Sequence, residues 1–495
     1  MNHLTIRRRS ALPLLTGLAV AQSIATFFVR RSNLDLQQSV SAMQKAGWLA
    51  VPSGPAAESL NSLAAAFWGA LFYTLSVGVG LALATWALLY LWQRLGGSPR
   101  LLWVAAGAWA ALAVFINFRG WVLYPTLFVV CVPLATLLAS LRKAQAGRPA
   151  EPSARLWLMP LITLALMTGL WATQFNAQIF TTIRDHLLLS NPVGRSVNDF
   201  YYRYTLHAAQ SFKSFGQKTL RTCRLASVAD AQSPEHWIRL LANHDVVTIQ
   251  GDTQADVLIQ IDPKHVVLTS AAGDRMATDR QAFLTDPGLW LGRFSEAGDR
   301  YAPLRRLTFA GLLLGFPILL FAMVDGAVGR LAERFVGGAA VIWWRCGVCL
   351  IIGILLLIPM LARHTDIPRD AVASALTAER WPQRVAALRL IEREKLEISA
   401  FPQYRHLIQS PLVVERYYAA RALSFSRTPA TLADLLALIR DAHPNVVCQA
   451  YHALGRRGNP SAVEPIKAQM AHSDHWYTQW YGYRAIRSLG WRQSR

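Results

Sequence analysis

Charge is scarce in this sequence. Only 16% of its 495 residues are Asp, Glu, Lys or Arg, against roughly 25% in an ordinary globular protein. Acidic residues are the scarcer sign, 29 against 50 Lys and Arg. With five cysteines in the whole chain, a disulfide-rich secreted scaffold is excluded. A hydrophobic content of 53% excludes a disordered chain, which needs low hydrophobicity. Phosphate loop, dinucleotide fingerprint, Ser-His-Asp signature and haem-attachment CxxCH are all missing. Nucleic acid is excluded as a partner despite the net charge of +21, because no basic helix, zinc finger or aromatic-basic strand motif accompanies it.

What is present is long apolar sequence. Seven stretches reach the length of about 20 residues that spans a bilayer: 11–29, 63–92, 101–118, 121–140, 156–174, 307–325 and 339–361. Much of the basic excess lies in these parts and their short loops, where it acts on topology: residues 1–175 carry 13 basic and 3 acidic residues, residues 305–363 carry 6 and 2. With the N-terminus in the cytoplasm, eleven loop cations, beginning with Arg7-Arg8-Arg9, fall inside and eight fall outside. Basic loops stay cytoplasmic, so the expectation is a multi-pass protein of a bacterial inner membrane, its N-terminus cytoplasmic and both soluble domains on the far side. Ala19-Val20-Ala21 fits a signal-peptide cleavage site, but the apolar run continues through Phe27-Phe28-Val29 as in an uncleaved anchor.

Within the spans, Ser76-x-x-x-Gly80-x-x-x-Ala84, Gly107-x-x-x-Ala111 and Gly311-x-x-x-Gly315 permit close approach of helix backbones. Asp325 closes the sixth span and Arg345 lies inside the seventh. Charge at membrane depth is costly unless paired, so these two are expected to pair. Cys346-x-x-Cys349 shares one face of the seventh span and reads as small apolar packing.

Residues 175–304 form a soluble insertion. Its first part, 175–215, reads as amphipathic helix broken at Asn191-Pro192-Val193-Gly194, with Tyr201, Tyr202 and Tyr204 on one face. Tyr favours membrane–water interfaces, so this helix is expected to lie along the membrane or on the spans. Asp185, His186, Asp199 and His207 are the titratable cluster nominated as candidate catalytic residues. A helix at 234–242 is then followed by short β-branched runs at 246–250, 257–261 and 266–269, giving a small α+β domain of three or four strands. The acids Asp252, Asp256, Asp262, Asp274 and Asp279 fall in turns.

The C-terminal region, 364–495, repeats itself. Ala386-Ala387-Leu388-Arg389-Leu390-Ile391, Ala419-Ala420-Arg421-Ala422-Leu423-Ser424, Ala450-Tyr451-His452-Ala453-Leu454-Gly455 and Ala485-Ile486-Arg487-Ser488-Leu489-Gly490 align at steps of 33, 31 and 35. Helices at 431–440 and 462–471 lie between them, introduced by Pro429 and Pro460. Residues 369–491 thus resemble HEAT-like, armadillo-type repeats, specifically the short kind also found in phycobilisome lyases. The resemblance implies stacked helix pairs with an extended surface for partners. The segment 397–409 breaks the repeat, and nothing supports a bilin-lyase chemistry.

The last repeat concentrates Trp476, Tyr477, Trp480, Tyr481, Tyr483 and Trp491. Its aromatics serve as a cap of the solenoid, as a partner-binding or membrane-facing patch, for which Trp476, Tyr477, Trp480, Tyr481 and Tyr483 are the candidates, or as a ligand site. No cofactor or metal site is read from the sequence. The fold class expected is a polytopic α-helical membrane protein with about seven spans, an α+β insertion and a C-terminal α-solenoid. The expected function is a membrane scaffold or assembly protein that binds a protein partner through residues 369–491. A transporter or channel subunit and a membrane enzyme acting on a lipid or glycan are the alternatives. Removing 369–495 is expected to leave a stable bundle.

Overall fold

The computed structural model describes residues 12–94, 98–145, 154–174, 176, 179–228, 234–337, 340–361 and 367–494. The cations Arg7-Arg8-Arg9, Arg148 and Arg363, used above for topology, lie outside them, as does Phe175. The chain is mostly helical. Among the described residues, six helices are long and apolar enough to cross a membrane, and a shorter apolar helix covers Leu158–Ala172.

The first helix, α1 (Leu12–Lys45), is much longer than the span expected at its start. At 1.5 Å per residue its 34 residues extend beyond a bilayer core. Charged residues appear from Arg30 onward, yet the helix continues because its far end is buried: Val40, Ala42 and Met43 belong to the core that also holds the C-terminal repeats. A second long apolar helix runs through α2 (Leu63–Tyr73), one turn of π-helix (Thr74–Gly78) and α3 (Val79–Arg94). Ser62 caps α2, its hydroxyl accepting from the Ala65 N–H. Three further apolar helices follow, α4 (Pro99–Asn117), α5 (Leu123–Gln145) and α6 (Ala154–Ala172).

After the bundle comes α7 (Pro192–Ser211), capped by the Asn191 side chain on the Gly194 N–H at 2.7 Å. Its buried residues Asn198, Leu206, His207 and Ala208 alternate with an exposed stripe of Val193, Val197, Phe200 and Tyr201.

The α+β domain has five strands, ordered β2-β1-β3-β4-β5, rather than three or four. They are β1 (Arg221–Val228), β2 (Val246–Thr248), β3 (Val257–Ile261), β4 (His265–Ser270) and β5 (Arg275–Asp279). The first pairs parallel with both β2 and β3, and β3 to β5 form an antiparallel meander. Helix α8 (Pro234–Asn243) supplies Trp237 and Leu241 to a core shared with Val257, Ile259, Ile261 and Phe283.

The chain then returns to apolar helix through α9 (Ala302–Ala310), a second π-helical turn (Gly311–Gly315), α10 (Phe316–Ala332) and α11 (Ala340–Leu361). The two π turns meet. A methyl group added at Gly315 would stand 3.1 Å from the Gly80 backbone nitrogen, and one at Gly80 would stand 3.3 Å from the Gly311 Cα. Small residues here let backbones touch within one bundle.

The solenoid consists of α12 (Trp381–Glu394), α13 (Val413–Ala422), α14 (Pro429–Leu438), α15 (Pro444–Arg457), α16 (Val463–His472) and α17 (Trp476–Ser488), with short helices between. Buried ion pairs link successive repeats: Arg384 bonds Glu415 at 2.7 Å, and Arg416 bonds Asp441 at 2.6 Å. One apolar core runs from the end of α1 through Trp48, Val51 and Leu60 into every repeat.

Candidate functional site

The solenoid is fastened to the rest of the chain at named places, and most of the sequence-nominated residues are found there. Residues 184–188 form a third π turn just before α7. Asp185 lies within it at 1% exposure. Its Oδ1 accepts from the neighbouring Arg184, from Nε at 2.9 Å and Nη2 at 2.7 Å. Its Oδ2 accepts from the Tyr418 hydroxyl at 2.6 Å and from Arg389 Nη2 at 2.9 Å. Arg184 also donates to the Tyr417 hydroxyl at 2.8 Å, its guanidinium over that ring. A buried carboxylate is tolerable only when its lone pairs are filled this way. Burial, followed by the Asp185 charge, pushes the Tyr418 phenol up, so it stays a donor.

The other three candidate catalytic residues are engaged elsewhere. His186 packs its ring on Trp381 at 5.1 Å. Asp199 is exposed, 3.3 Å from His443 Nε2. His207 is buried, with Nδ1 3.3 Å from Asn33 Oδ1 and its ring edge-on to Trp476 at 5.2 Å. Burial holds the His207 imidazole down at about 4, so it is neutral in the folded protein. The cluster that the sequence brings within 23 positions is therefore dispersed by the fold: a π turn and a helix point the four side chains at α1, α12, α15 and the solenoid's inner face. The four do not assemble into one acid–base site, and Asp199 meets His443 instead.

The aromatic last repeat divides in two. Trp476 and Tyr483 are covered by the chain itself and cannot face a partner. The end of a solenoid exposes apolar surface that must be covered, and residues 48–60 cover it here. Gln479 is wholly buried and bonds the 53 backbone both ways: Nε2 donates to the Ser53 carbonyl at 3.0 Å and Oε1 accepts from its N–H at 2.8 Å. Gln493 does the same at Leu49, at 2.9 and 3.2 Å. From the α+β domain, Asp245 accepts from the Tyr483 hydroxyl at 2.5 Å and pairs with Arg487 at 2.9 Å. Tyr477, Trp480 and Tyr481 form a group of tilted and edge-on rings and remain half-buried, with Tyr202 of α7 on Tyr477 at 4.7 Å.

That group borders a groove of about 210 Å³ on the inner face of the repeats, lined by Glu392, Tyr417, Arg421, Gln449, His452, Arg456 and Tyr481. A wider polar recess of about 640 Å³ lies between the end of α1 and residues 250–253, lined by Gln37, Gln38, Ser41, Lys45 and Asp252 among others. Sequence reasoning named neither. The groove's Arg421, His452 and Arg456 sit inside the repeat motifs or next to them, so their shared face was the available signal.

In the bundle, Asp325 and Arg345 pair by two parallel hydrogen bonds, Nε to Oδ1 at 2.9 Å and Nη2 to Oδ2. Cys346 and Cys349 are buried nearby on the same helix.

The HEAT repeat family matches residues 404–493, less than a fifth of the chain. No curated protein and no solved structure matches it.

Proposed function

We propose that this chain is an integral membrane scaffold or assembly protein of a bacterial inner membrane, binding a protein partner through its C-terminal helical repeats. The carrying observation is mechanical. The solenoid shares one core with α1 and is latched at Asp185, so anything held on its inner face is held at a fixed place over the bundle. The exposed apolar stripe of α7 continues into Trp68 of α2, edge-on to Phe200 at 5.4 Å, which suits a helix lying in the bilayer surface. The N-terminus is assigned to the cytoplasm and both soluble domains to the far side.

Crosslinking and mass spectrometry on the tagged protein from its native membrane tests this reading. A stoichiometric partner crosslinked to residues 369–491 is expected, and recovery of the protein alone overturns it. A second reading, a transporter or channel subunit, is supported by the crossing of two π turns inside the bundle, since π turns recur at functional sites. Liposome flux that depends on Asp325 or Arg345 would favour it. The enzyme reading loses its support with the dispersal of Asp185, His186, Asp199 and His207.

A further inference from the structure

The groove on the inner face carries a charge pattern that the partner-binding reading leaves unused. Successive inner helices each present a cation: Arg389 on α12, Arg421 on α13, Arg456 on α15 and Arg484 on α17. Arg389 is occupied by Asp185, and Arg421 is paired with Glu392 at 2.8 Å. Arg456 and Arg484 lie exposed over aromatic faces, Phe425 at 4.5 Å and Trp480 at 5.0 Å. Neither has a carboxylate within ion-pairing distance among the described residues. Lys213, at the end of α7, stands 5.7 Å over the same Trp480 ring and adds a cation at the edge. His452 between them is held below its ordinary value by burial, then by the field of Arg456 and Arg421.

We propose that this groove, with the Trp480–Arg484 face that adjoins it at Tyr481, binds an extended acidic segment of the partner protein, its carboxylates seated on Arg456 and Arg484 and its backbone against Tyr481 and Trp480. Two observations select this occupant. The chain's own Asp185 already docks on the first rung, against Arg389 and the Tyr418 hydroxyl, which shows how the face takes a carboxylate. Successive inner helices also each carry one of these cations, and packed helices lie about 10 Å apart, a gap that an extended chain covers in about three residues. A row of cations so spaced matches an acid at every third position, whereas a lone phosphate headgroup meets one rung. Stacking under Phe425 and Trp480 keeps the guanidinium planes fixed, so little side-chain freedom is lost on binding.

The inference rests on the partner-binding reading, and its test separates the two. The full chain is placed in nanodiscs of phosphatidylcholine and titrated with a fluorescein-labelled Glu-Gly-Ser repeat peptide of about 15 residues, a length chosen to cross four helices at this spacing. Its Lys-Gly-Ser counterpart is the control. The acidic peptide is expected to bind, to weaken with salt, and to lose about tenfold in affinity in R456E/R484E. Arg440, exposed at the end of α14, supplies the control R440E with unchanged binding. Both sites are exposed, so melting of the double variant should match the parent and exclude misfolding. Equal binding by R456E/R484E overturns the proposal. So does a double variant that loses phosphatidylglycerol vesicles while retaining the peptide. If native-membrane crosslinking still captures a partner with R456E/R484E, the groove is wrong and the scaffold reading stands. No partner with the parent protein overturns the scaffold reading itself.

Discussion

At the scale of single residues, Asp185 shows why a sequence position can look catalytic and be structural. A carboxylate beside His186 on an amphipathic segment suggests proton chemistry. The fold instead surrounds it with Arg184, Arg389 and Tyr418. Arg184 is adjacent in sequence, but neither Arg389 nor Tyr418 is identifiable as a neighbour from spacing, since they stand 204 and 233 positions away. Asp185→Ala leaves two guanidiniums facing each other without their anion. Removing one member of a buried pair costs about 3 kcal/mol, so hydrogen exchange should accelerate in α12 and α13, while Asp185→Asn, which still accepts from Tyr418, should accelerate it less. His207 gives a pH dependence of definite sign. Its folded value of about 4 lies below the ordinary 6.5, so the unfolded chain binds the proton first. The stabilisation is complete above pH 6.5 and is lost as pH falls toward 4, by at most about 3 kcal/mol. Thermal melts across that range should show a steeper acid loss for the parent than for His207→Gln.

At the scale of elements, the helical pattern was far more legible than the strands. The repeats announce themselves because the same apolar register recurs four times. Strand β1 does not, since Arg221 and Arg224 interrupt any β-branched run, yet it lies between β2 and β3 in the sheet. Its position comes from long-range pairing, which local composition does not encode. The small-residue motifs were legible as packing sites. What they could not reveal is that two π turns meet there, 235 positions apart at Ser76 and Gly311. Gly315→Leu is expected to drive side-chain atoms into the Gly80 backbone and sharply reduce the yield of monodisperse protein by fluorescence-detected size exclusion. Gly326→Leu, on the same span with open space around its Cα, should leave the yield near the parent's. Equal losses in both would mean that the crossing is not the constraint.

At the scale of the whole molecule, the sequence divides cleanly into bundle, insertion and repeats, and the fold joins them. Composition shifts mark where the chain leaves apolar helix. They say nothing of what the next segment rests on, because an amphipathic surface has the same pattern whichever partner covers it. Residues 48–60, between the first two apolar stretches, serve as the cap of the last repeat, more than 400 positions on. This reverses the expectation for truncation. Without residues 369–494, Val40, Met43, Trp48, Val51 and Leu60, all at most 5% exposed, would lose the surface that covers them. An apolar patch of that kind drives aggregation, and each large side chain contributes about 1.5–3 kcal/mol of burial. The truncated chain should therefore appear at reduced level and be cut by protease between 46 and 62, whereas a full chain carrying R456E/R484E should not. A truncation that stays monodisperse and protease-resistant would show that the bundle and the solenoid fold independently, and that the shared core is a contact between two separate units.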